Sequence, residues 1–137
     1  MRILIEPIVR AALLEDLGRA GDITTDAIVP EEAEIEAVIA ARQPGVVAGL
    51  DAALLAFELV DPGLRFERRR ADGARVASGE TVAHICGPAR PVLAAERTAL
   101  NLLCRMSGVA TATRVLADAI TGAKARIVCT RKTTPGL

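Results

Sequence analysis

The chain has 137 residues, of which 51% are hydrophobic and 25% charged, so it is too apolar for a disordered protein and has the length of one ordinary domain. Its longest uncharged run, residues 81–89, is far shorter than the roughly 20 residues a membrane helix needs, so we expect a cytoplasmic protein without a membrane partner. The net charge of zero hides an asymmetry, because residues 1–63 carry four basic and twelve acidic residues whereas residues 64–137 carry thirteen and five, which indicates an anionic ligand or a complementary partner surface.

Hydrophobic periodicity predicts two helices and a strand in the first half of the chain. The strand alternates acidic with apolar residues, so that Ile35, Ala37 and Ile39 share one face. Asp51 is placed to cap the second helix. The predicted segments are, in chain order, a helix over residues 6–17, a polar loop over 19–30, a strand over 33–42 and a helix over 52–60.

The second half of the chain is predicted to be strand-rich first and helical later. Ser107-Gly108 is expected to break or kink a long apolar helix, with a second helix after it. The arginines at 68–70 are expected to be solvated surface on an edge strand. The predicted segments are an edge strand over residues 64–70, a strand over 81–86, helices over 91–106 and 109–120, and a short apolar strand over 125–129.

Aromatic residues, histidine and cysteine are scarce. Two phenylalanines are the only aromatic residues, too few for the stacking surface of a nucleic-acid reader. His84 lies in a strand-like run and is expected to be a packed or surface residue. The three cysteines lie in apolar runs without zinc-ligand spacing and are expected to be buried reduced thiols: Cys86, Cys104 and Cys129.

Two polar clusters are candidates for binding an anion. Arg97, Asn101 and Arg105 are spaced four residues apart, so they form a polar stripe on one helix face. The second cluster, residues 130–134, follows an apolar strand, where α/β folds place their ligands. An arginine fork suits a carboxylate or phosphate, whereas the alternatives are a solvated helix face and an ordinary basic loop.

Five segments of the sequence together resemble one enzyme family. They are EDLGRAGDITT (Glu15–Thr25), GVVAGL (Gly45–Leu50), ERTALNLL (Glu96–Leu103), SGVATAT (Ser107–Thr113) and TRKTTPGL (Thr130–Leu137). In this order and combination they are similar to nicotinate-nucleotide pyrophosphorylase, also called quinolinate phosphoribosyltransferase. The segments span nearly the whole chain.

The resemblance implies an α+β N-terminal domain over residues 1–107, an antiparallel sheet with helices. The first helix and strand of an open α/β barrel would follow over residues 108–137, and the chain would be truncated there. It also implies a homodimer or higher homo-oligomer that transfers phosphoribose from phosphoribosyl pyrophosphate to quinolinate. That reaction uses magnesium and yields nicotinate mononucleotide, pyrophosphate and carbon dioxide, in NAD biosynthesis.

The resemblance also assigns site residues. Arg97 would bind substrate in the neighbouring subunit's site, and Thr130, Arg131 and Lys132 would bind substrate from the second cluster. Lys132 would also be catalytic, and no metal ligand is expected within this chain. The family continues with further substrate contacts, so we expect the 137 residues alone to be inactive.

Two other interpretations remain open. One is the related superfamily protein associated with molybdenum transport, against which the full GDITT and ERTALN phrases argue. The other is a non-catalytic domain whose acidic and basic halves dock head to tail as a homo-oligomer.

Overall fold

The computed structural model describes residues 2–133, so Thr134 of the second polar cluster and the end of the TRKTTPGL segment lie outside the described residues. In that range no helix is both long and apolar enough to cross a membrane. The elements in chain order are α1 (Arg2–Leu17), α2 (Ile23–Ile28), β1 (Glu34–Ala40), β2 (Gly45–Val46), α3 (Leu50–Val60), β3 (Arg65–Arg68), β4 (Arg75–Val76), β5 (Thr81–Pro88) and α4 (Ala89–Ala119).

A three-stranded antiparallel sheet of order β1-β5-β3 lies beside the helices, which confirms the predicted α+β architecture. Ile35, Ala37 and Ile39 of β1 are half-buried, whereas Glu34, Glu36 and Val38 on its other face are exposed, as the alternation predicts. β3 is an edge strand, and β2 pairs with β4 in a separate antiparallel ribbon. His84 is partly exposed on the outer face of β5, with Nδ1 3.8 Å from Glu36 Oε1.

The core lies between the inner face of the sheet and helices α1, α3 and α4. Leu50, Ile85 and Val9 are its largest fully buried side chains, and the Phe57 and Phe66 ring centroids lie 6.0 Å apart. Where α3 meets α4, the buried residues are mostly alanines, whose small side chains let the two helices approach closely. These alanines are Ala53, Ala56, Ala95 and Ala99.

Helix α4 is continuous from Ala89 to Ala119, so the predicted break at Ser107-Gly108 is wrong. The Ser107 hydroxyl accepts a hydrogen bond from Ala48 N at 3.0 Å and donates one to Ala48 O at 3.2 Å. A glycine inside a helix costs about 1 kcal/mol relative to alanine, and the contacts of Ser107 offset that cost. The predicted domain boundary at Ser107 therefore falls inside one helix.

Three other predictions are wrong about where a helix begins, whether one is present or which residue caps it. Helix α1 begins at Arg2, four residues earlier than predicted, because Arg2 ion-pairs with Glu6 of the next turn and with Glu58 of α3, at 3.1 and 2.7 Å. Residues 19–30 contain the short helix α2 and are not all loop. Helix α3 is capped by Asp72, whose carboxylate accepts from the backbone N–H groups of residues 49 and 50, whereas Asp51 is not the cap.

The apolar run Ala125–Cys129 is not a strand here, and residues 121–133 are all exposed. Within the described residues no strand lies beside this run to pair with it, and a lone strand leaves its backbone groups to water. The cysteines are free, but two are exposed and one half-buried, so the prediction of buried thiols is wrong. Cys104 falls on the polar face of α4, and Cys129 lies in the exposed segment.

Candidate functional site

Helix α4 presents the predicted polar stripe to solvent. Arg97, Asn101 and Arg105 are all exposed, whereas Ala99 and Leu103 on the opposite side are buried. Residues four apart in a helix lie about 6 Å apart along its axis, so the stripe is a row about 12 Å long. The sequence therefore placed these three residues correctly on one face.

Arg97 is held by a carboxylate from helix α1. Its Nε donates to Asp16 Oδ2 at 3.2 Å, and the Arg97 side chain is 57% exposed whereas that of Asp16 is 24% exposed. Within residues 2–133 this is the one hydrogen bond that the Arg97 side chain makes. Its two terminal amino groups are therefore available to an external carboxylate or phosphate.

The charge of Arg97 also stabilises a second carboxylate, that of Asp22. Asp22 caps helix α2 by accepting from Thr25 Oγ1 at 2.7 Å and from Thr25 N at 3.2 Å. These bonds, with a smaller contribution from the charge of Arg97, hold the pKa of Asp22 below its usual value. Sequence reasoning missed this cap, although an aspartate three residues before a threonine is a recognisable helix-start signal.

Arg90 at the start of α4 attaches the end of α2 to the long helix. Its Nε donates to Val29 O at 2.9 Å and its Nη2 to Asp26 O at 3.2 Å. These bonds satisfy carbonyls that the last turn of a helix leaves unpaired. Two of the segments that carry the family resemblance, residues 15–25 and 96–103, are thereby brought together around Arg97.

Two more of these segments meet further along α4. Thr111 Oγ1 accepts from Val46 N at 2.9 Å, one helical turn after Ser107 binds Ala48. A Cβ built on Gly45 would lie 2.8 Å from Thr111 Oγ1, so only glycine fits there without a shift. The GVVAGL and SGVATAT segments are therefore in direct contact with each other.

The Thr130–Lys132 triplet is exposed and lies outside any helix or strand. Arg131 has a left-handed φ of 62°, and its N–H donates to Cys129 Sγ at 3.3 Å. Among the described residues no hydrogen bond or ion pair joins the triplet to Arg97. The structure therefore does not bring the two predicted parts of the site together.

The described part of the chain offers no metal centre. Between residues 2 and 133 no three His, Cys, Asp or Glu side chains are grouped so that they could hold a metal ion. Asp16 and Asp22 are already engaged by Arg97 and Thr25. The described part of the site is an exposed arginine whose terminal amino groups can bind an anion, held at Nε by the carboxylate of Asp16.

The chain matches the family model described as "Quinolinate phosphoribosyl transferase, N-terminal domain" over residues 22–107. It is 48% identical over 131 residues to the nicotinate-nucleotide pyrophosphorylase (carboxylating) of Mycobacterium leprae, covering 94% of this chain and 46% of that protein. The chloroplastic enzyme of the same name from Arabidopsis thaliana is 43% identical over 133 residues, which are 97% of this chain and 38% of that protein.

Solved structures agree with this match. NadC from Streptococcus pyogenes superposes with a TM-score of 0.93 at 34% identity, over 98% of this chain and 48% of that one. The nicotinate-nucleotide pyrophosphorylase from Francisella tularensis gives a TM-score of 0.93 at 30% identity, over 99% and 48% of the two chains.

The fold is therefore that of the N-terminal part of these enzymes, and the chain belongs to the quinolinate phosphoribosyltransferase family through its N-terminal domain. The chain spans about half the length of the curated relatives it matches. The family resemblance inferred from the five sequence segments is confirmed.

Proposed function

We propose that this chain contributes to phosphoribosyl transfer from phosphoribosyl pyrophosphate to quinolinate, with decarboxylation to nicotinate mononucleotide. The observation that supports it is Arg97, half-exposed on α4 in a chain of this family, with two terminal amino groups available for a carboxylate. The family match and the relatives' names favour this reaction over the molybdenum-transport alternative.

The charges of the two substrates suit this surface. Quinolinate carries two adjacent carboxylates, and a guanidinium binds a carboxylate through two parallel N–H bonds. Thr130, Arg131 and Lys132 supply a hydroxyl and two cations for phosphate or carboxylate oxygens. We place Arg97 and this triplet in the substrate site on those grounds.

The proposed reaction depends more on stabilising the charges that develop during it than on a reactive side chain. When the bond at the ribose carbon breaks, positive charge develops on the sugar and negative charge on the departing pyrophosphate. Lys132 and Arg131 would stabilise the pyrophosphate, and Arg97 would hold quinolinate in position to attack the sugar. This assigns Lys132 the catalytic role.

The remaining parts of the proposal concern assembly, metal and location. We propose a homodimer or higher homo-oligomer in which Arg97 enters the neighbouring subunit's site. The described residues do not fit the magnesium ion that the family resemblance implies, since no three of their His, Cys, Asp or Glu side chains are grouped to hold a metal ion. A cytoplasmic location remains a prediction, since some relatives are named as chloroplastic or mitochondrial.

The test is a hybrid enzyme in which residues 1–137 replace the matching part of the Mycobacterium leprae relative. Arg97→Ala should weaken quinolinate binding by about 2–3 kcal/mol, or about 30- to 150-fold, because a charged hydrogen-bond partner is lost. Lys132→Met should lower kcat strongly because the charge that stabilises the leaving group is gone. Steady-state kinetics with each substrate varied in turn measure both effects.

Arg114→Ala is the matched control. It removes an exposed arginine from the same helix, one that pairs with Asp118 at 2.5 Å, and should leave both kinetic constants unchanged. Unchanged quinolinate affinity in Arg97→Ala would remove Arg97 from the site, and wild-type kcat in Lys132→Met would remove the triplet.

A further inference from the structure

We propose that Asp16 is a positioning residue for Arg97, one that holds the guanidinium by Nε so that its terminal amino groups meet a carboxylate of the pyridine substrate. This inference rests on the proposed function. Nothing in the sequence motifs alone pairs these two residues, which are 81 positions apart.

Asp16 contacts Nε of the Arg97 guanidinium, and the terminal amino groups are the part proposed to bind substrate. Asp16 Oδ2 accepts from Nε at 3.2 Å, and no other hydrogen bond of the Arg97 side chain lies within residues 2–133. The two terminal amino groups carry a pair of parallel N–H groups that can bind a carboxylate bidentately. Asp16 therefore leaves that end available.

The acid is the better-fixed partner. Asp16 lies in the last turn of α1, whose Val9 and Leu13 are buried in the core, and its side chain is 24% exposed against 57% for Arg97. A long side chain that is already held loses less conformational freedom when it binds a ligand. The ion pair thus pre-organises an otherwise mobile arginine.

The negative charge of Asp16 acts against the gain in substrate affinity that comes from positioning Arg97. The carboxylate of Asp16 beside Arg97 lowers the attraction of the site for an anion. If this effect were the larger one, Asp16 would compete with substrate, and its removal would tighten binding. We assign positioning because Asp16 bonds to Nε and not to the terminal amino groups.

The experiment measures quinolinate binding by calorimetry, and kcat and KM, in the hybrid enzyme and its variants. Asp16→Asn should weaken binding and raise KM by about tenfold, with kcat changed by less than about twofold, because ground-state positioning is lost. Glu15→Gln is the matched control, since it removes the same charge from the neighbouring exposed residue. It should leave the affinity unchanged.

A double variant tests whether Asp16 acts through Arg97. In an Arg97→Ala background, Asp16→Asn should cause no further loss of affinity, because its target is already absent. Asp16→Glu should recover part of the affinity lost in Asp16→Asn, because it keeps the charge at a shifted distance. Thermal unfolding of each variant separates loss of binding from loss of fold.

The outcomes distinguish this inference from the proposed function. Tighter or unchanged binding in Asp16→Asn overturns the positioning role, as does an equal loss in the Arg97→Ala background. A hybrid enzyme that binds quinolinate but turns nothing over contradicts the proposed function and leaves the Asp16 comparison intact. A hybrid that binds no quinolinate overturns both.

Discussion

Two hydroxyl groups on α4 hold the SGVATAT segment against the GVVAGL segment. Ser107 and Thr111 lie one helical turn apart and bind the backbone N–H groups of Ala48 and Val46. Four helical residues and two extended residues both advance the chain by about 6 Å, so the two spacings coincide. The helix therefore completes the hydrogen bonding of an extended segment that β4 pairs only in part.

Thr111→Val tests this contact at nearly constant side-chain volume. The half-buried N–H of Val46 would lose its acceptor, so we expect the free energy of unfolding to fall by about 1–2 kcal/mol in urea denaturation. Thr113→Val is the control, because that exposed hydroxyl donates only to Val109 O of its own helix, at 2.8 Å, and should change stability by less than about 0.5 kcal/mol. Equal effects of the two changes would contradict the contact.

Asp22 gives a prediction on pH. The Thr25 hydroxyl and amide hold the pKa of Asp22 below its usual 3.8, so the folded state favours the charged form. Its contribution to stability is therefore present above that value and is lost as the pH falls through the lower pKa of the folded protein. An NMR titration of the Asp22 carboxyl carbon should show a midpoint below 3.8 that rises in Thr25→Val. A midpoint at the usual value, insensitive to that change, would be evidence against the cap.

At the scale of elements, the sequence correctly predicted the helices and strands that local periodicity determines. The predictions were wrong where contacts between residues distant in sequence determine the structure. The alternation of β1 and the apolar run of α3 identify these elements correctly. The Ser107-Gly108 pair resembles a helix end, yet α4 continues because Ser107 is bound to a residue 59 positions away. The opposite error occurs at residues 125–129, whose apolar pattern cannot form a strand without a partner.

Replacing glycines by alanine tests the continuity of α4. Gly108 lies inside the helix with open space where a Cβ would be, so Gly108→Ala should stabilise the protein by about 0.5–1 kcal/mol and raise Tm. Gly122 has a left-handed φ of 86°, so Gly122→Ala should destabilise it by about 1 kcal/mol. A lower Tm in Gly108→Ala would indicate that the helix is interrupted there.

At the scale of the whole molecule, the structure partly resolves the charge asymmetry between the two halves. Arginines of the basic half pair with acids of the acidic half across the fold. Each of these pairs is at least partly exposed and contributes little stability on its own, but together they balance charge that the sequence separates. The pairs are Arg68–Asp51, Arg90–Asp26 and Arg97–Asp16. The arginines at 68–70 are exposed, as predicted, and each also pairs with an acid, which the sequence did not predict: Arg69 pairs with Glu67 and Arg70 with Glu80.

The candidate site could be predicted only in part. Arg97 is recognisable from its helical spacing and its motif, because both are local properties of the sequence. Asp16 is not, because its pairing with Arg97 depends on how α1 packs against α4. The triplet at 130–132 is recognisable by motif, but its place relative to Arg97 depends on contacts that the described residues do not make.

The most direct test of the central claim is the release of labelled carbon dioxide from carboxyl-labelled quinolinate in the presence of phosphoribosyl pyrophosphate. We expect the hybrid enzyme carrying residues 1–137 to release carbon dioxide and pyrophosphate in equal amounts, and the 137-residue chain alone to release neither. A correctly folded hybrid that releases no carbon dioxide, or turnover by the 137 residues alone, would contradict the account.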